Sequence, residues 1–316
     1  MLKLGPLLWR YVHRPLGLIE QSIKEGGPVE QRRTEAGRRA MIAAAAALPP
    51  LVDPGNPLPI AFSFLSGDKY WHQTIFCIVS LQQQCERRID PVIHDDGSFT
   101  PAVRAQMRRV VPWIRFVDEA ETTAAIDAHL PAERFPALRR RRLAYPHLRK
   151  LTDLHCAARG WTLVLDSDML FFRRPTALID WIVNPARPIY MQDVTTAYGY
   201  TPALLDELAG TTVPERVNVG LYSAEGRTID WPRVEYWCAE QLAREGAHYF
   251  QEQALVATLL AGTGASPLPE ADYVVMPSNG EGETPTAILH HYVAQSKRSY
   301  YRHGWRLITA RATRRP

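Results

Sequence analysis

The stretch Trp161–Pro175 reads WTLVLDSDMLFFRRP. Leu163, Val164 and Leu165 form an apolar run of strand character. Asp166-Ser167-Asp168 follows, and Met169 to Phe172 is apolar again. Carboxylates crowded beside a core strand are costly unless something positive lies between them. A divalent cation of the Mg²⁺ or Mn²⁺ kind takes oxygen ligands and keeps open positions for phosphate oxygens. The plainer alternative is a solvated loop carrying two aspartates, which apolar flanks on both sides disfavour.

Upstream, strand-like and helix-like segments alternate. IAFSFL, IDPVIH and WIRFV read as strands; YWHQTIFCIVSLQQQ and PAVRAQMRRV read as helices. PHLRKLTDLHCAARG is a helix with Leu148, Leu151, Leu154 and Ala158 on one face and Gly160 as its stop. This order predicts an α/β fold: a single Rossmann-type, mostly parallel sheet with helices on both faces. Ligands bind such sheets at the carboxyl ends of the strands. Ser66-Gly67-Asp68, Asp95-Asp96-Gly97 and Asp166-Ser167-Asp168 all fall at such ends. Residues 1–58 read as an N-terminal helical appendage and linker, stopped by Pro49-Pro50, ahead of a domain over 59–316.

A net charge of +4 over 316 residues does not by itself argue for nucleic acid, and no nucleic-acid partner is expected; it fits an anionic ligand or an acidic membrane surface equally well. The run Arg139–Arg142 reads first as a solvated helix face and second as a phosphate or anionic-lipid contact. It lacks the interleaved aromatics of a nucleic-acid groove. Cys77, Cys85, Cys156 and Cys238 form no CxxC pair. They read as buried apolar residues in a reducing, cytoplasmic setting. No run of apolar residues is long enough to cross a membrane. MLKLGPLLWRYVHRPLGLIEQ, at the N-terminus, has Leu7, Leu8, Tyr11 and Val12 on one side. An ordinary packed helix is the favoured reading, and peripheral contact with the inner face of a membrane is the other.

KLTDLHCAARGWTLVLDSDMLFF resembles the Lys-helix-strand-Asp-x-Asp block of GT-A glycosyltransferases, family 8 (the glycogenin group) above all. ILHHYVAQSKRSYYRHGW resembles that group's C-terminal His-x-x-x-x-x-Lys element. The resemblance implies that His291 joins Asp166 and Asp168 on Mn²⁺ or Mg²⁺ and that Lys297 grips the donor diphosphate. RVNVGLYS resembles the family's Asn-x-Gly strand, which sets Asn218 near donor sugar or acceptor. YFQEQALVATLLA resembles its Asp-Gln helix start, with Glu252 in place of the usual Asp and Gln253 after it. LSGDKYWHQTIFCIVSL resembles the family's opening block, which sets the loop from Ser66 and the side chain of Tyr70 along the nucleobase site. Asp95-Asp96-Gly97-Ser98 instead resembles the nucleobase-holding turn of the inverting family 2, and places Asp96 there; a plain β-turn is its other reading.

A leaving diphosphate develops negative charge, so lysines aimed at it stabilise the transition state. Lys150 and Lys297 are the candidates. Glu252 orients a sugar hydroxyl or, in an inverting enzyme, deprotonates the acceptor. Asp193, ending the strand-like RPIYMQD, rivals it. The implied activity is metal-dependent sugar transfer from a nucleotide-sugar, UDP-sugar by resemblance, to a glycan or glycolipid hydroxyl, retention favoured over inversion. Two other classes stay open. One is a haloacid dehalogenase-type phosphohydrolase with Asp166 as nucleophile, although the motif follows three predicted strands and Met169 is unusual there. The other is a non-catalytic adaptor on a degenerate transferase fold.

Overall fold

The structure, a computed structural model, describes residues 27–312 apart from 157 and 159. The N-terminal stretch around Leu7 to Val12 therefore lies outside the described residues.

Helix α1 (Gly27–Ala47) ends before Pro49-Pro50. The first half of the domain follows as β1 (Phe62–Ser66), α2 (Trp71–Gln83), β2 (Pro91–Asp95), α3 (Pro101–Val110), β3 (Arg115–Val117), α4 (Glu119–His129), α5 (Pro136–Ala144) and α6 (Arg149–Cys156). Then come β4 (Trp161–Leu165), β5 (Met169–Phe171), α7 (Thr176–Val183), β6 (Ile189–Gln192), α8 (Pro202–Ala209), β7 (Val217–Glu225), α9 (Trp231–Arg244) and α10 (Gln251–Leu260). The chain closes with β8 (Ser266–Pro267), β9 (Tyr273–Val275), α11 (Asn279–Glu283), β10 (Leu289–His291), α12 (Lys297–Ser299), a π-turn over Tyr300–Gly304, and α13 (Trp305–Ala312).

The main sheet has the order β3-β2-β1-β4-β7-β6-β8. β1 pairs in parallel with both β2 and β4, and β2 with β3; β7 is antiparallel to β4 and β6. The predicted parallel half is thus present, and the reversed strand β7 is added to it. Side chains alternate across β4. Leu163 and Leu165 enter the hydrophobic cluster that contains Phe62, Phe64 and Ile75, while Val164 enters the one that contains Leu151, Tyr222 and Leu255. Helices cover both faces for that reason.

The chain runs outward from β1 to β3, then returns to β4 on the other side of β1. Strand order reverses there, and such a switch opens a crevice at the carboxyl ends of the strands. Ser66 ends β1, and Asp166 follows β4.

A second sheet, β5-β10-β9, was not legible in the sequence. β10 runs antiparallel to β5, with His291 opposite Met169. The backbone N–H of Tyr292 donates to Asp168 O at 2.9 Å. This pairing carries His291 to the Asp-x-Asp turn from far along the chain.

α1 packs on α2 and on the π-turn. Met41, Ala45 and Leu48 join the main core, and Arg302 donates to Glu30 Oε2, Glu30 O and Thr34 Oγ1. Gly37 is required there: a Cβ would come within 2.5 Å of Tyr301 O. The linker also packs, with Leu58 buried and its N–H donating to Arg88 O at 2.9 Å.

Candidate functional site

The Asp166–Asp168 turn is held from three sides. Asp166 N–H donates to Gly220 O at 2.7 Å, and Tyr292 holds Asp168 O. Ser167 Oγ lies 2.8 Å from Thr74 Oγ1 of α2, which in turn lies 2.7 Å from Ser66 Oγ. The Ser66 hydroxyl is therefore spent on fixing the turn. Thr74 and Ser167 are site residues that the sequence reading passed over.

Asp166, Asp168 and His291 offer ligand atoms within 4.8 Å of one another. His291 Nε2 is 3.3 Å from Asp168 Oδ1 and 3.6 Å from Asp166 Oδ2. Behind the ring, Nδ1 is 3.0 Å from Asn218 Oδ1. That oxygen also accepts the Gly220 N–H at 2.9 Å, while Asn218 Nδ2 donates to Asp193 Oδ2 at 2.9 Å. Those two bonds set which end of the amide faces the histidine. In a neutral ring the proton then sits on Nδ1, and Nε2 points a lone pair toward two carboxylates. Buried Nε2 has no hydrogen-bond partner. Three electron-rich groups converging on one point fit a divalent cation, with the outer nitrogen fixed by a neighbour as metal-binding histidines usually are.

Each carboxylate also carries a lysine. Lys150 on α6 is buried, with Nζ 2.8 Å from Asp166 Oδ1, 3.3 Å from Val219 O and 3.6 Å from Glu252 Oε1. Burial opposes its charge, but Asp166 and Glu252 raise its pKa above the ordinary lysine value. Glu252 is pushed up to about 7, by burial first, against the pull of Lys150 and with Asp166 adding to the rise. Lys297 Nζ donates to Asp168 Oδ2. Burial alone would raise the Asp168 carboxyl; the Lys297 ammonium, joined by His291 whenever its ring is protonated, more than reverses this and holds it well below the usual carboxylate range.

These groups open on a cleft of about 700 Å³. Ser66, Tyr70, Asp96, Lys150, Asp166 and Asp168 line it, as does Lys297. Gln73, His147, Arg149, Tyr249 and Tyr301 line it too and had not been singled out. A hollow of about 860 Å³ beside Asp95, Arg104 and Asp127 is larger but holds none of the metal-site trio. Asp96 accepts from Ser98 N at 2.9 Å and Ser98 Oγ at 2.5 Å, so it is a turn residue and a cleft residue at once. A side chain at Gly67 would collide with its carboxylate as placed, so Gly67 leaves that carboxylate room beside the end of β1.

Asp193, Asn218 and Gln253 fall behind the histidine. Asp193 Oδ2 accepts from Asn218 Nδ2 and, at 3.2 Å, from Gln253 Nε2, while Oδ1 accepts from Val194 N–H at 2.8 Å. Asn218 is buried.

The Arg139–Arg142 run needs correction as a solvated face. Arg142 grips the fully buried carboxylate of Asp153 at 2.6 and 2.8 Å. Arg141 donates to Gln251 Oε1 at 2.6 Å and His248 O at 2.9 Å. Arg140 alone makes only a local bond, to Pro136 O. All four cysteines are free and buried. Among the described residues no helix is long and apolar enough to cross a membrane.

No family model matches the sequence, and no curated protein does. Solved structures do match. The galactosyltransferase LgtC, in complex with donor and acceptor sugar analogues, superposes with a TM-score of 0.53 at 17% identity, over 80% of this chain and 95% of that one. The apo bifunctional glycosyltransferase WbbM gives 0.51 at 11% identity over 83% of this chain. This chain spans about half of WbbM, 52% of its length. At such identities the likeness carries the fold: a GT-A-type sheet flanked by helices.

Proposed function

We propose that the protein is a metal-dependent glycosyltransferase that moves a sugar from a nucleotide-sugar, a UDP-sugar first of all, to a hydroxyl of a glycan or glycolipid. The observation that carries this is the unpartnered His291 Nε2 aimed at Asp166 and Asp168. It lies at the strand-order reversal of a GT-A-type fold, with a lysine on each carboxylate.

Asp166, Asp168 and His291 would hold Mn²⁺ or Mg²⁺. When bound, the ion supplies charge stabilisation to the leaving diphosphate. Lys297, half exposed at the cleft, turns from Asp168 to the diphosphate and neutralises charge as it develops. Lys150 stays on Asp166 and Glu252 and keeps both oriented. Tyr70 and Asp96 receive the nucleoside, and the absent side chain of Gly67 leaves room for the Asp96 carboxylate between the two turns.

Retention is favoured over inversion by the resemblance of the His291–Lys297 element to that of a retaining group. An inverting enzyme needs a free base beside the acceptor hydroxyl. Both oxygens of Asp193 already accept hydrogen bonds, whereas Glu252 Oε1 is buried without a hydrogen-bond partner, 3.6 Å from Lys150 Nζ. On the retaining reading Glu252 orients a sugar hydroxyl, while Gln253 holds Asp193 behind the histidine. Buried free thiols accord with a reducing, cytoplasmic setting.

A thermal-shift panel of nucleotide-sugars, each with and without Mn²⁺, tests the proposal. The expected result is stabilisation by at least one UDP-sugar only when the ion is present; ligand at a hundred times its Kd gives about 2.7 kcal/mol. No metal-dependent shift with any donor would leave a non-catalytic adaptor. A beryllium fluoride adduct on Asp166 would indicate a phosphohydrolase instead.

A further inference from the structure

We propose that Tyr249, braced edge-on by Phe250, forms a rigid stacking ledge for a pyranose ring of the acceptor, at the mouth of the cleft. The inference rests on the transferase reading and deepens it, by making the acceptor a carbohydrate held through its ring face.

Two adjacent large aromatics stand in solvent here: Tyr249 is 65% exposed and Phe250 42%. Single exposed aromatics are ordinary, but a contiguous cluster beside a cleft marks a binding surface. The Tyr249 ring lies 5.2 Å from Phe250 and 5.2 Å from His147, at 85° and 72°. Tyr145 adds a third contact at 6.4 Å and 71°. Three steep crossings fix the plane of the ring.

The backbone beneath is also pinned. The Tyr145 hydroxyl donates to Tyr249 O. Arg141 donates to His248 O and to Gln251 Oε1, and its guanidinium sits 4.4 Å from the Tyr145 ring centre. Part of the arginine run thus fastens the segment that presents the two rings. Exposed aromatics on a fixed backbone lose little freedom when a ligand arrives, which is the property of a built binding surface.

Position and chemistry choose the occupant. Tyr249 and His147 line the cleft with Lys150, Asp166 and Asp168, and Glu252-Gln253 lie in the next turn of chain. Phosphate belongs with the lysines. The ledge itself carries no charged group and is bordered by a phenol and an imidazole. A pyranose matches it, with an apolar C–H face and a polar rim. An alkyl chain would want a longer apolar track.

Saturation-transfer NMR with methyl α- and β-glucopyranoside, galactopyranoside and mannopyranoside is the test, run with UDP and Mn²⁺ present. UDP affinity is measured in parallel by calorimetry. Saturation is expected on the ring C–H protons of at least one glycoside with the parent and with Tyr249→Phe. Tyr249→Ala and Phe250→Ala should weaken it about tenfold or more, with UDP affinity held within twofold. An undiminished signal in Tyr249→Ala overturns the ledge. So does a parent that binds UDP but saturates no glycoside, and so does a loss of UDP affinity with the glycoside signal intact, which would make the ledge a nucleobase platform. A parent that binds no UDP fails the transferase reading separately, whatever the glycosides do.

Discussion

Gly220→Ala is the most demanding small perturbation of the site. A Cβ built at this position falls 2.5 Å from His291 Nδ1 and 2.8 Å from Asn218 Oδ1. Carbon and heavy-atom neighbours settle near 3.5 Å, so the imidazole must retreat by about 1 Å. The strand cannot retreat instead, because β7 is paired with β4 on one side and β6 on the other. The shift breaks the Nδ1–Asn218 bond and swings Nε2 off the two carboxylates. Loss of such a supporting bond weakens metal binding about 10- to 100-fold. The crowding itself costs about 1–3 kcal/mol of stability. Titration of Mn²⁺ followed by the electron paramagnetic resonance of the free ion reads the first quantity, and urea unfolding reads the second. A folded Gly220→Ala protein that binds Mn²⁺ within twofold of the parent would refute the placement of His291 on the ion.

Three further outcomes are expected. Lys297→Ala should weaken UDP-sugar binding by roughly tenfold or more, the usual value of a hydrogen bond to a charged group, without weakening Mn²⁺ binding; equal donor affinity by calorimetry would remove Lys297 from the diphosphate. Glu281 accepts bonds from Thr286 N, Thr286 Oγ1, Ala287 N and His290 Nε2, and although burial opposes its charge these bonds hold its pKa at about 2. A depressed folded pKa stabilises above the unfolded value of 4.5 and is lost as pH falls toward 2. The stability gap between the parent and Glu281→Gln should therefore shrink by up to about 2 kcal/mol from pH 6 to pH 3, and a gap of constant size in urea unfolding would contradict it. Arg142→Ala should cost about 2 kcal/mol by stripping a charged bond from buried Asp153, whereas Arg140→Ala should stay within about 0.5 kcal/mol; equal effects would restore the solvated reading of the run.

Much of the fold was legible where an element carries its own pattern. β4 is a continuous apolar run buried on both faces. The segment around α2 has helical periodicity, and Thr100 and Pro101 open α3 as a cap and first-turn proline should. Helix α4 carries an equally good signal, a capping box between Asp118 and Glu121. The small sheet is another matter. β5, β9 and β10 have three residues each, too few for a period to emerge. Nothing local in VNVGLYSAE sets the direction of β7, because direction depends on the partner strands.

The site divides in the same way. Asp166 and Asp168 announced themselves by their apolar enclosure. His291 came from its resemblance-based spacing to Lys297, and the β5–β10 pairing that delivers it is non-local. The bond from Asn218 to His291 was unreadable, since each partner looks ordinary alone. Arg141 and Arg142 looked solvated for want of their partners, Gln251 and Asp153, which only the packing of α5 against its neighbours supplies.

The central claim is one divalent cation on Asp166, Asp168 and His291, serving a nucleoside diphosphate. Calorimetric titration of the protein with UDP, with and without Mn²⁺, set beside Asp168→Asn, tests it most directly. The expected result is one ion per chain in the parent, UDP binding that requires it, and a loss of at least about tenfold in Mn²⁺ affinity in the variant. UDP binding that ignores Mn²⁺, or Mn²⁺ affinity that survives Asp168→Asn, would contradict it.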